Sequence, residues 1–167
     1  MAARRRVKYQ YEVAPDVQGM LEEIVRHLPD DFAHVDVRRV VCYRSRGSVA
    51  RIYARIWSLP GIWQAALGVE AHYVIEVVER FDREGVEERE KTLIHELMHI
   101  PKTFSGALVP HKCFGKNIDC RSVDVVHRRL VTARGIEERA RQRATALARF
   151  LPDPSSAPLS MSNDAPL

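Results

Sequence analysis

Four side chains in one short stretch carry the chemistry of this chain. From Thr92 to His111 the sequence reads TLIHELMHIPKTFSGALVPH, which sets His95, Glu96 and His99 in an H-E-x-x-H arrangement, followed by His111. On a helix, residues four apart share a face, so His95 and His99 stand one turn from each other. Two imidazoles so placed can grip one Zn²⁺ at about 2.0–2.1 Å per nitrogen. Glu96 lies beside the pair, where it can take a proton from a water on the ion while the metal polarises a scissile carbonyl. That combination is the equipment of a metal-dependent hydrolase, a peptidase above all.

The surroundings of the motif strengthen this reading. Leu93, Ile94, Leu97, Met98 and Ile100 make the end of the helix apolar on all sides, so it should be buried. Three polar groups buried there are costly unless hydrogen-bonded or bound to a metal. The plainer alternative is a pair of core histidines satisfied by hydrogen bonds.

Catalytic zinc commonly takes three protein ligands and a water, so a third ligand is needed. The metzincin continuation is absent: Lys102 and Ser105 occupy the positions of its glycine and histidine, and no methionine follows before Met161. His111 is the favoured candidate, because a loop broken by Pro101, Gly106 and Pro110 can fold back over the helix end. His127 and an acid such as Asp124 or Glu137 are the other candidates.

The elements that must position these groups are legible in outline. Val7 to Val13 is extended. Val17, Leu21, Ile24, Val25 and Leu28 recur at helical spacing between Pro15 and Pro29. His27 ends that helix, where a dipole interaction explains it. Residues 36–43, 49–59 and 71–78 read as strands, the second alternating apolar with basic and aromatic residues. Residues 62–67 have no clear assignment, and Trp57 and Trp63 read as packing residues. A helix is expected over 86–100 with the motif at its end, a loop over 102–118, and helices over 122–133 and 136–151.

Peptide can bind a hydrolase by adding to a sheet edge as a strand. The strand before the motif helix, with Tyr73 and Ile75, is the candidate edge; an internal core strand is the equal alternative. Tyr73 or His127 could donate a hydrogen bond to a transition-state oxyanion, although core packing is the better account of each.

With 167 residues, 46% hydrophobic and 29% charged, the chain has the profile of one soluble globular domain. The expected division is a basic arm over 1–13, one domain over 14–151 and a disordered Pro/Ser-rich tail over 152–167. No apolar run suits a membrane span and no secretory signal precedes the domain, so the cytoplasm is the expected location. Cys42, Cys113 and Cys120 are an odd count without a C-x-x-C pair, which fits buried thiols in a reducing compartment better than disulfides or a second metal site with His111. The net charge of +4 reflects arginines clustered at 36–56 and 121–149. Such bias can attract nucleic acid, or it can be a solvated surface.

At Tyr73-Val74-Ile75-Glu76, Phe81-Asp82 and HELMHIPKTFSGALVPH the chain resembles the putative phage metallopeptidase family. The likeness spans roughly residues 36 to 130 and is close over 93 to 111; it is more distantly similar to SprT-like zinc proteases. The resemblance implies an α+β, zincin-like fold: a small three- to four-stranded sheet packed on an active-site helix, with flanking helices. It also implies one Zn²⁺ per chain on His95, His99 and His111, with Glu96 catalytic, and a protein or peptide substrate. Three other functions compete. One is a zinc-stabilised module that binds nucleic acid through the arginine faces. The second is a SprT-like protease acting on DNA-bound proteins. The third is a hydrolase of cell-wall amides.

Overall fold

The computed structural model describes residues 10–48, 50–113 and 115–149. Its organising element is a four-stranded sheet in the order β1-β2-β4-β3. Strands β1 (Gln10–Val13) and β2 (Val40–Arg46) are antiparallel, β2 and β4 (Tyr73–Val78) are parallel, and β3 (Ala54–Ser58) returns antiparallel to β4. The architecture is mixed α+β, as expected.

One face of the sheet carries the core. Val40 and Cys42 of β2 and Tyr73, Ile75 and Val77 of β4 alternate inward at the two-residue period of a strand. Helix α1 (Pro15–His27) covers them with Val17, Leu21 and Ile24. Helix α4 (Val86–Met98) adds Leu93, Ile94 and Leu97, all fully buried. Apolar residues at helical spacing thus meet apolar residues at strand spacing, and that contact holds α4 against the sheet. The opposite face has a polar centre: buried Glu76 accepts from Trp57 Nε1 at 2.8 Å and faces Arg55 Nε at 2.9 Å.

Several elements differ from their sequence patterns. Strand β2 begins only at Val40, because Asp36 accepts the Arg38 backbone N–H at 3.1 Å and starts a short 3₁₀ turn there. Strand β3 starts at Ala54. The unassigned segment is helix α3 (Gly61–Leu67), ended by Gly68 in the left-handed conformation, and a short helix α2 (Pro29–Phe32) follows α1. The expected loop after the motif contains a two-stranded hairpin, β5 (Lys112–Cys113) with β6 (Lys116–Asn117). The two C-terminal helices are one, α5 (Cys120–Ala148). Gly135 costs a helix about 1 kcal/mol relative to alanine, which does not break it when no proline follows.

By internal contact the chain forms two units, 1–133 and 134–167. The described part of the second is the distal stretch of α5, which carries the i,i+4 pairs Glu137–Arg141 and Glu138–Gln142. Residues 1–9 of the basic arm and the tail beyond 149 lie outside the described residues. Among those described, no helix is long and apolar enough to cross a membrane. The first arginine cluster is largely committed internally. Arg38 and Arg39 pair with Asp36, Arg44 with Asp16 and Asp82, Arg46 with Glu12, and Arg55 with Glu76.

Candidate metal centre

Helix α4 stops at Met98, and His99 is its C-cap. Pro101 follows, and proline cannot continue the ladder. Stopping there frees the His99 carbonyl, which accepts the Val109 N–H at 2.8 Å. The His99 ring bonds the same residue: Nδ1 donates to the Val109 carbonyl at 2.6 Å. A carbonyl only accepts, so this bond puts the proton on Nδ1 and leaves the Nε2 lone pair pointing away.

That lone pair meets two others. His95 Nε2, one turn earlier on α4, lies 3.3 Å from His99 Nε2 and 3.2 Å from His111 Nε2. The three ligand atoms all lie within 4.8 Å of one another. Two nitrogens bound at ~2.05 Å to a tetrahedral ion are separated by about 3.3 Å, so the separations and the all-imidazole donor set suit Zn²⁺. Burial, and then the neighbouring charges of His99 and His111, pushes the His95 imidazole down to about 4. Burial also lowers His99, against the effect of its Val109 bond. Both rings are therefore neutral near pH 7, as ligation requires.

Glu96 projects beside this cluster and is 7% exposed. Burial pushes its carboxyl up to about 7, while the Ile56 backbone N–H favours the charged form. A cation on the three histidines would favour that form further. A carboxylate that can gain and lose a proton near neutrality suits a general base.

His111 depends on its loop, and the sheet anchors that loop. Tyr73 of β4 accepts the Gly106 N–H at 2.9 Å and donates to the Ala107 carbonyl at 3.0 Å. Phe104 packs edge-on against the Tyr73 ring, with the Arg39 guanidinium 4.8 Å from the Phe104 centroid. Gln64 of α3 donates to the carbonyls of Leu59 and Ser105. Gly106 is required here: its φ is +82°, and an added Cβ would stand 2.7 Å from the Leu59 oxygen and overlap Gln64 Nε2. On the far side of the loop, the Ile118 N–H bonds the His111 carbonyl at 2.8 Å.

Tyr73→Phe removes both loop bonds while keeping the ring. Support groups one step from the metal are typically worth about 10–100-fold in affinity. The expected result is zinc affinity lower by that range with the far-UV spectrum unchanged, read by competition with a chromogenic chelator.

The remaining candidates fall elsewhere. Strand β4 is hydrogen-bonded on both sides, so it is an internal strand and cannot accept a peptide; Tyr73 is 1% exposed and Ile75 fully buried. Among the described residues, the free sheet edge beside the motif is that of β3. His127 of α5 lies 2.9 Å from Glu90 Oε2 in a buried pair, outside the histidine cluster. Asp124 pairs with Lys91 at 3.1 Å and Glu137 with Arg141. Sequence reasoning missed Ile56, Gln64 and Glu90. Their roles depend on contacts between distant segments, although Glu90, three and four residues before Leu93 and Ile94 and so on their side of the helix, could have been flagged as a buried acid.

The site therefore joins a helix-borne histidine pair, an adjacent buried carboxylate and a third histidine on a clamped loop. No curated protein and no solved structure matches the chain. The model of a family described as putative phage metallopeptidase matches residues 9–127, which include the whole histidine cluster, Glu96 and the four-stranded sheet. The chain belongs to the putative phage metallopeptidase family.

Proposed function

We propose that this chain is a zincin-like, zinc-dependent peptidase with His95, His99 and His111 as ligands and Glu96 as general base. The observation that carries the reading is the convergence of three imidazole Nε2 atoms, at 3.2 and 3.3 Å, next to a buried carboxylate. Zinc bound there supplies Lewis acidity, polarising a carbonyl and lowering the pKa of water to about 7. Glu96 takes the proton of the attacking water and passes it to the departing amine. The protein fixes the ring orientations in advance, through the Val109 carbonyl on His99 and the loop clamp on His111.

Substrate binds along β3, whose outer edge is open in the four-strand order. The backbone bonds Leu59 N–H to His72 and Val78 N–H to Tyr53 turn residues 53, 55, 57 and 59 toward β4. By alternation, Ala54, Ile56 and Ser58 present their backbone groups outward. The Ile56 N–H on Glu96 puts the general base at the middle of that edge.

The test is metal dependence. Gently purified chain should carry about one zinc and hydrolyse an unfolded protein substrate; a strong chelator should abolish the activity and added zinc restore it. Hydrolysis that survives complete metal removal sinks the proposal.

A further inference from the structure

A cleft of about 630 Å³ opens on the α4 side of Glu96. His95 and Glu96 line one part of it, the segment Ile52–Ala54 forms one wall, and the start of α5 forms the other. We infer that this cleft receives the side chain that follows the scissile bond, and that it selects a long cationic one, lysine or arginine. The inference rests on the peptidase reading and adds a substrate class to it.

The position follows from strand direction. Antiparallel pairing is the more stable way to extend a sheet edge. A peptide added antiparallel to β3 runs from Ser58 toward Ala54. Glu96 stands opposite Ile56, midway along that edge. Residues beyond the scissile bond therefore lie at the Ala54 end, which is where the cleft is.

The selectivity follows from the lining. Ile52, Tyr53, Ala54 and Val123 give the lining an apolar part. The same lining carries three carboxylates besides Glu96, namely Glu88, Asp119 and Asp124, and one ammonium, Lys91. Lys91 is shared among Glu87 at 2.8 Å, Asp124 at 3.1 Å and Glu88 at 3.5 Å, so one ammonium stands against more carboxylate charge than it can offset. Asp119 uses Oδ1 to accept the Ser122 N–H at the start of α5, and its bonds there hold its carboxyl below the usual range. The lining therefore combines an apolar part with surplus negative charge. A side chain with a hydrocarbon stem and a cationic tip satisfies both parts. An uncharged apolar chain satisfies only the apolar part, and an acidic one is repelled. The order is cation, then neutral, then acid.

The experiment has two arms. Zinc-loaded chain is given a mixed peptide library, and cleavage sites are mapped by mass spectrometry. Lysine and arginine directly after the cut are expected to exceed glutamate on the order of tenfold or more in kcat/KM. In the second arm the Glu96→Gln chain is titrated with labelled peptides differing only at that position, and anisotropy reads binding. The same order is expected there. The double variant Asp119→Asn, Asp124→Asn keeps a capping residue at position 119, since asparagine caps as well as aspartate. Its zinc content should be unchanged and its lysine-over-glutamate ratio should fall by about tenfold in both arms.

Cleavage without cationic preference overturns the pocket assignment and leaves the peptidase reading standing. Cation-selective binding without cleavage by the zinc-loaded chain does the reverse. Selection of the cation before the cut, or a ratio unmoved in the double variant, also overturns the assignment.

Discussion

Glu96→Gln is expected to keep its zinc and lose about 10²–10⁴-fold in kcat, the usual contribution of a positioned general base. Glutamine matches glutamate in shape, and the amide oxygen can still accept the Ile56 N–H that faces the carboxylate. What it lacks is a basic site near neutral pH. Burial prepares the native carboxyl for that role by raising it to about 7. None of the three converging nitrogens belongs to Glu96, so metal content should not change. Kinetics and metal analysis on one preparation decide the matter. Turnover within about threefold of the parent would remove Glu96 from the mechanism.

His111→Ala should fail differently, losing metal rather than chemistry. Removing one of three ligands should weaken zinc binding by more than the 10–100-fold typical of supporting groups. The fold should survive, because His111 is exposed and outside the core. His127→Ala is the contrasting control. It disrupts the buried Glu90 pair and should lower the melting temperature while leaving zinc affinity close to normal. If the two variants exchange these phenotypes, the third ligand has been misplaced. Isothermal competition for zinc and thermal melts, run on both, separate the outcomes.

The three-histidine cluster was readable because its geometry is local. A one-turn spacing places His95 and His99 together on any helix, and breaker residues let His111 return over the helix end. Strand neighbours are set by contacts far apart in sequence. Tyr73 and Ile75 lie on the strand just before the motif helix, yet β2 and β3 flank that strand and close both its edges. The sequence marks Tyr73 as inward but not which loop its hydroxyl will hold. Likewise the short helix 61–67 has too few residues for a period, and Gly135 signals a break that the surrounding helix formers override.

The Tyr73 clamp has a consequence for the order of assembly. His95 and His99 come together as soon as one turn of helix forms, so a nascent chain carries half a site early. The third histidine is held in place only when β4 has joined β2, a pairing between segments about thirty residues apart in sequence, because Tyr73 can hold Gly106 and Ala107 only from within the sheet. Completion of the three-histidine cluster is thereby tied to the slower, non-local half of folding. On the proposed function, an incompletely assembled chain would have two of its three ligands, so hydrolytic activity would be withheld from its own unfolded backbone until the sheet has closed.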